Sequence, residues 1–475
     1  MKFAVGDDVG QLKIITASRG TDTSLKTSAR ARISTYFTPD GRDPVYAVCK
    51  IDRYQGEERA GLVSPPRTKA GLSAGQLIAA VVFTSGRVGV VDTSVSPISG
   101  EGNYLLYTHA SETTPPTAAA ASPVISAGMQ DGILYLFRAN GQVVFHRFDG
   151  ESPSVKTVPL TGDIAAGAVF TEHLVNGWPS AIAIGGRKRD LEIFEPTTGE
   201  GGWKSVWKAK NVKQDRLGLE VPVYIRRILF LGTGGVEAAA NTTATHPGGP
   251  TTVQTSGRKY RLATGTHHSH LRIYDTAVSR RPVFTATLTK SPVLSLHLHP
   301  STQSPTSTPL TAPNTSPESS TTSSPHNWIY SDSNGHFALY SSSTRREVGS
   351  YKGSTGAVNA TATSSGDVVA GVGFDRYLRV YEGAGREIVV KAYFRSKGTA
   401  VAVLDVGDDV IEVEKSLEEG EEEEEEEVWG EMEEVVGSGS GEEEGDFTEA
   451  LVSVRRRRPR TDREGGGSKK RRVEA

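Results

Sequence analysis

One pattern recurs seven times along this chain and limits its fold more than any other feature. Its clearest form is Gly371–Tyr381, GVGFDRYLRVY. An apolar run at Val368–Ala370 leads in, the chain turns at Phe374–Asp375–Arg376, and Leu378 and Val380 alternate with polar residues on the return. Apolar alternation of period two on both sides of a short polar turn marks a β-hairpin. Near-copies stand at Gly6–Ile15, Phe83–Asp92, Gly128–Phe137, Gly185–Phe194, Gly265–Asp275 and Ser331–Tyr340. Aligned on the first inward apolar residue, the seven anchors are Leu12, Val88, Leu134, Leu191, Leu271, Phe337 and Leu378.

A lone hairpin sheet cannot bury both faces, so regular copies of this kind need neighbours on each side, which a closed ring of blades supplies. Val88 and Leu134 are 46 residues apart and Phe337 and Leu378 are 41 apart, at or near the ~40–45 residues of a WD-type blade. The longer spacings, 80 from Leu191 to Leu271 and 66 from Leu271 to Phe337, contain Ser/Thr/Pro/Gly-rich inserts at 232–256 and 300–326. A third insert lies at 111–122. Such stretches cannot bury enough apolar surface to order themselves. The full Gly-His and Trp-Asp signatures are missing, and Val91–Asp92 and Tyr274–Asp275 come nearest to a Trp-Asp ending. The expected fold is all-β, a seven-bladed WD40-type β-propeller over residues 1–404. A two-sheet sandwich built from the same hairpins is the alternative. Met1–Ile15 opens the chain as a hairpin with no strand before it, so Thr399–Leu404 is expected to return and complete the first blade, removing the free sheet edge. Arg19–Ser34 and Tyr54–Ala74 read as polar loops around a strand at Val45–Lys50.

Charge divides the chain sharply. Residues 405–449 carry 22 acidic residues against one basic, a balance of −21, including seven consecutive glutamates at Glu421–Glu427. Residues 450–475 carry ten basic against three acidic, a balance of +7. The first 404 residues hold 42 basic and 31 acidic, or +11, and the whole chain sums to −3. The acidic and basic stretches read as disordered tails, and a basic ring beside them implies highly charged partners, nucleic acid among them. A single cysteine, Cys49, excludes a disulfide framework and a Cys-based zinc site. MKFAVGDD offers no signal-like apolar segment and no run approaches a membrane span. The expectation is a soluble intracellular protein.

No catalytic constellation emerges. The chain has no phosphate-cradling Gly-x-x-x-x-Gly-Lys-Ser/Thr loop, no Gly-x-Gly-x-x-Gly after a strand and no His-Glu-x-x-His. His267, His268 and His270, and separately His297 and His299, are close enough in sequence to consider as metal ligands, but they read as ordinary turn and strand residues. Asp375 and Asp131 sit where WD-type turns use a carboxylate to bind turn amides. No cofactor, metal or small-molecule substrate is expected. What remains is surface. The turns between the second and third strands of every blade share one face, which would collect Arg87, Arg187, Lys188, Arg189, His267, His268, His270 and Arg376, opposed by Asp7, Asp8 and Asp131. Lys208, Lys210, Lys213, Arg216, Arg226 and Arg227 lie in a basic segment, 206–230, that feeds an apolar run. This face is the candidate for docking on an anionic or ribonucleoprotein surface. In the tail, Arg455, Arg456, Arg457, Arg458 and Arg460, then Lys469, Lys470, Arg471 and Arg472, form two basic clusters of the kind that serve nuclear import or nucleic-acid contact.

The blocks RLATGTHHSHLRIYDTAVSRRPVF, WIYSDSNGHFALY and VAGVGFDRYLRVYEGAGREIVVKAYFRSKGTAVAVL, with NVKQDRLGLEVPVYIRRILF and the opening GDDVGQLKII, are familiar. Over most of residues 1–404 they resemble the WD-repeat ribosome biogenesis factors of the Nop-seven-associated protein one family, to which the animal WD-repeat protein seventy-four is related. The FDRYLRVY and DRLGLEVPVYIRRILF segments are the most specific; the long inserts and the glutamate run depart from the family. The resemblance implies a nucleolar scaffold on precursors of the large (60S) ribosomal subunit, bound to rRNA and other assembly factors and removed by an AAA-type ATPase. It also implies that the tail, here Arg455–Arg460 and Lys469–Arg472, is the ATPase's handle and carries the import signal. A propeller adaptor recruiting chromatin or ubiquitin-ligase partners is the competing reading.

Overall fold

The computed structural model describes residues 1–51, 77–99, 104–109, 122–148, 153–160, 162–197, 202–214, 217–233, 259–299, 326–364, 367–383 and 385–407. Most of the three inserts, most of the loop expected at 54–74, Arg216 and both tail clusters lie outside them.

The strands sort into seven sheets, each built on an antiparallel run of four, one of which gains a fifth strand. Numbered in chain order, blade 2 is Val45–Ile51, Ile78–Phe83, Val88–Asp92 and Leu105–His109. Blade 3 is Val124–Gln130, Ile133–Arg138, Gln142–Arg147 and Ser154–Pro159. Blade 4 is Ala166–Val175, Trp178–Gly186, Arg189–Pro196 and Trp203–Lys208, and blade 5 is Ile225–Thr233, Tyr260–Thr266, His270–Asp275 and Phe284–Thr287. Blade 6 is Val293–Leu298, Asn327–Asp332, Phe337–Ser341 and Arg346–Ser350, and blade 7 is Val358–Ser364, Val368–Gly373, Tyr377–Glu382 and Ile388–Tyr393. Blade 1 draws on both ends of the ring: Gly398–Asp405 is its innermost strand, followed by Lys2–Asp7, Leu12–Thr16 and Arg32–Tyr36.

The second strand of each blade lies between two neighbouring blades and is apolar on both faces. Ile78–Phe83 and Val368–Gly373 are buried at every position. The outermost strands are more exposed, and at Ser154–Pro159 the exposure alternates because only one face is covered. Seven apolar clusters fill the seven gaps between adjacent blades. The one that closes the circle joins Phe3, Val5 and Ile15 of blade 1 to Val368, Val372 and Leu378 of blade 7. The expected closure holds: Phe3 pairs with Val403, Ala4 with Ala402 and Val5 with Val401. A ring, and not a sandwich, is the outcome.

Two expectations need correction. Residues 19–34 are not all loop. Thr21–Asp22 adds a short parallel strand to the outer edge of blade 7, beside Val390–Lys391, and Arg32–Tyr36 is the outer strand of blade 1. The third hairpin copy is also out of phase. Six anchors lie within the first three residues of the third strand of their blade, but Leu134 lies on the second strand of blade 3. Its hairpin, Val124–Arg138, joins strands one and two, and Val143 takes the anchor's place, paired with Phe137. The reason is physical: both strands of a buried hairpin are apolar, and the tight Asp131–Gly132 turn mimics the turn of the neighbouring hairpin. Asp131 therefore emerges on the opposite face from Asp7 and Asp8, and its carboxylate accepts a hydrogen bond from Thr171 Oγ1.

Candidate functional site

In an antiparallel blade, the turn from strand two to strand three and the link from strand four to the next blade leave by the same face. At blades 4 and 5 these parts enclose a groove of about 1520 Å³. Arg187 and Lys188 come from the turn of blade 4, His267 and His268 from the turn of blade 5, and Lys210 and Lys213 from the link between them. Six of the candidate residues thus share one groove, along with Arg281, which the sequence pattern does not single out.

The described residues of the link, 209–214 and 217–224, have no regular structure apart from one bridge between Arg187 and Tyr224. Backbone and side-chain hydrogen bonds hold the link. Lys188 N donates to Val223 O at 2.9 Å and His267 N to Tyr224 O at 2.8 Å. Asn211 is the hub. Its Oδ1 accepts from Val212 N at 2.8 Å and from Arg272 Nη1 at 3.2 Å, and its Nδ2 donates to Val221 O at 2.6 Å. Arg281 Nε donates to Asn211 O at 3.2 Å, and Arg280 Nε donates to Lys208 O at 2.7 Å. Arg272 is 1 % exposed, so this anchor works from beneath. Burial pushes the nearby Asp190 carboxyl above its ordinary value, with Arg272 and Lys208 pulling the other way.

The turns carry a second signal. Two residues before the anchor, blades 1, 2, 3 and 6 place a glycine in the left-handed region: Gly10, Gly86, Gly141 and Gly335. Blades 5 and 7 place Ser269 (φ 65°) and Arg376 (φ 62°) there, and blade 4 holds Lys188 at φ 54°, three residues before its anchor. A side chain in this region costs on the order of 1–3 kcal/mol. Lys188 and Arg376 are both exposed.

The other candidates are dispersed. Arg87 is half-buried, its guanidinium 3.6 Å from the centroid of the Phe83 ring and its Nε 3.3 Å from Asp43 Oδ2. Arg189 pairs with Glu192 at 3.0 Å. Arg226 donates to Tyr224 Oη at 3.1 Å, and with Arg227 it lines the central channel, a space of about 900 Å³. His270 opens the third strand of blade 5, and burial, then Arg272 and His268, lower its pKa. His267 is lowered by burial, then by His268 and Arg226. His297 faces the channel, lowered to about 4 by burial and by Arg227. Asp375 does bind turn amides, accepting from Tyr377 N at 3.4 Å and Thr355 N at 3.2 Å. Asp332 does so at shorter range, from Asn334 N at 2.9 Å and His336 N at 2.8 Å. Among the described residues, no group of three His, Cys, Asp or Glu side chains is placed to hold a metal ion.

No family model matches the chain. It is similar to the ribosome biogenesis protein nsa1 of Schizosaccharomyces pombe, 25 % identical over 92 % of this chain and 96 % of that protein. It is also similar to the ribosome biogenesis protein NSA1 of Yarrowia lipolytica, 24 % identical over 66 % of this chain and 68 % of the relative. Human WD repeat-containing protein 74 is 26 % identical over 46 % of this chain and 44 % of its own length. Among solved structures, Saccharomyces cerevisiae Sqt1 superposes with a TM-score of 0.40 at 12 % identity, over 68 % of this chain and 73 % of that one. The chain thus resembles the fungal NSA1 proteins and WD repeat-containing protein 74 along much of its length.

Proposed function

We propose that this chain is a ribosome biogenesis factor: a non-enzymatic scaffold that holds partners on nucleolar precursors of the large (60S) ribosomal subunit. The single observation that supports this most is the groove at blades 4 and 5. It presents Arg187, Lys188, Lys210, Lys213 and Arg281 from a rigid ring. Its link overlaps NVKQDRLGLEVPVYIRRILF, residues 211–230, one of the segments that resemble the WD-repeat ribosome biogenesis factors. Cations set on a preorganised frame recognise charged surfaces without any reacting group. In this reading an AAA-type ATPase removes the protein through residues 450–475, and the same residues direct it to the nucleus.

Sedimentation of the tagged full chain tests this. The chain is expected to run with precursors of the large subunit and their rRNA, and to leave them steeply as salt rises, because phosphate and ion-pair contacts are screened. Co-migration with chromatin or ubiquitin-ligase subunits overturns the reading. Removing residues 450–475 is expected to abolish nuclear accumulation and to retain the protein on particles that form.

A further inference from the structure

The groove also carries features that a phosphate backbone does not explain. On its rim Leu217 is 81 % exposed and Leu219 is 60 % exposed, on either side of the lining residue Gly218. Val221, Pro222 and Val223 continue the same apolar edge. Two carboxylates, Asp190 and Glu220, line the groove among its cations. Tyr224 is the one Phe, Tyr or Trp among the described lining residues. Its ring is flanked by the His267 ring, 5.0 Å between centroids, and by the Arg226 guanidinium at 5.6 Å.

A single-stranded nucleic acid is held by a continuous positive track and open aromatic faces on which bases stack. Here the track is interrupted by two carboxylates, and the tyrosine ring is half-buried and already has His267 and Arg226 as neighbours. A protein segment meets every one of these features. Its acidic side chains pair with Lys188, Lys210 and Lys213. Its backbone N–H groups donate to Asp190 and Glu220, and its apolar side chains cover the two leucines, which otherwise hold apolar area in water. From this we infer that the groove takes an extended, net-acidic protein segment bearing large apolar side chains. The inference rests on reading this groove as the docking site, and it names the partner's chemistry as protein where the broader reading admits RNA.

The test uses the full chain in cells, with Leu219→p-benzoylphenylalanine as a photo-crosslinker, sedimentation, irradiation, and separate digestion by ribonuclease and by protease. The expected product is a ribonuclease-resistant adduct. Its sequenced segment should hold more Asp and Glu than Lys and Arg, with large apolar residues among them. In a K210E/K213E background its yield should fall at least about tenfold, as expected when complementary charge becomes like charge. All three positions are exposed, and a thermal melt of each variant confirms the ring. A ribonuclease-sensitive adduct, an adduct on a basic segment, or no adduct from chains that do sediment with ribosomal precursors overturns the inference. An acidic adduct from chains that do not sediment with those precursors sinks the proposed function and leaves the groove assignment standing.

Discussion

Blade 1 and the groove at blades 4 and 5 both concentrate charge, and they use it in opposite ways. In blade 1 Asp7 is fully buried and each carboxylate oxygen is engaged. Oδ1 accepts from Val9 N at 3.1 Å and Gln11 N at 2.7 Å; Oδ2 meets Lys13 Nζ at 3.1 Å and accepts from Ser396 Oγ at 2.7 Å. Lys13 also donates to Phe394 O at 2.9 Å, tying the first hairpin to the segment that leads into the closing strand. In the groove Arg187, Lys188, Lys210 and Lys213 are exposed, while the backbone amides of Lys188 and Lys210 are held by Val223 O and Arg280 O. Charge that staples the ring is spent inside it; charge that remains available outside is the part that can recognise a partner.

The largest effect should come from removing the staple's framework. Deleting residues 399–404 takes away Ala400, Val401, Ala402 and Leu404 from two interblade clusters and exposes the edge of Lys2–Asp7. The expected outcome is loss of the cooperative thermal transition, and an unchanged melting temperature would refute closure as the source of rigidity. Next is Asp7→Ala, which leaves Lys13 buried without its counter-charge and two turn amides without an acceptor. A cost of about 3–5 kcal/mol is expected in urea unfolding. A cost below about 1 kcal/mol would place Asp7 with the exposed, weakly contributing ion pairs.

A buried base sharpens the comparison from a third side. His146 is fully buried, its Nε2 has no hydrogen-bond partner, and burial, then His109, lowers its pKa to about 4. The folded state therefore holds the neutral imidazole while the unfolded chain takes up a proton at its ordinary pKa of about 6.5. Below that value the unfolded state binds more protons, so stability falls as the pH drops from about 6.5 to about 4. The full loss is on the order of 3 kcal/mol, and His146→Phe should flatten this part of the pH profile. Equal acid sensitivity in the variant would assign it to other groups. Smaller still is Asn211→Ala. Freeing the link of blades 4 and 5 from its hub should cost about 1–3 kcal/mol, with faster amide exchange confined to residues 209–224.

Most of the ring was legible because interblade burial imposes the same apolar pattern on each hairpin. Leu12, Val88, Leu191, Leu271, Phe337 and Leu378 all anchor the strand expected of them. The phase of blade 3 was not legible, since two adjacent buried hairpins share one apolar pattern, and the polar Ala139–Gly141 turn resembles the Asp131–Gly132 one. At the site, position within a turn identified Arg187, Lys188, His267 and His268. Arg281 was hidden because its place depends on a hydrogen bond to Asn211, 70 residues earlier in the chain. Arg87 looked like a surface cation, and only the partners Phe83 and Asp43 reveal that it packs.

The smallest expected effect on stability is also the sharpest probe of the contrast between inside and outside charge. Lys188→Gly removes an exposed cation and installs the one residue that adopts its φ of 54° without steric cost. If the lysine stood there for the fold, stability would drop. If it stands there for a partner, the melt should move by no more than about 1 kcal/mol in either direction, because relief of strain and the added freedom of the unfolded chain oppose each other. Association with ribosomal precursors should nevertheless weaken several-fold at moderate salt, the range expected when one of several charge contacts is lost. Arg187→Glu should weaken it further, by adding repulsion where Lys188→Gly only removes attraction. Arg189→Glu is the internal control: Arg189 is already paired with Glu192, so its reversal should disturb the blade and not the docking alone. A Lys188→Gly protein that binds as well as the original would mean that the left-handed lysine is an accident of blade 4, and the contrast with Asp7 would lose its outer half.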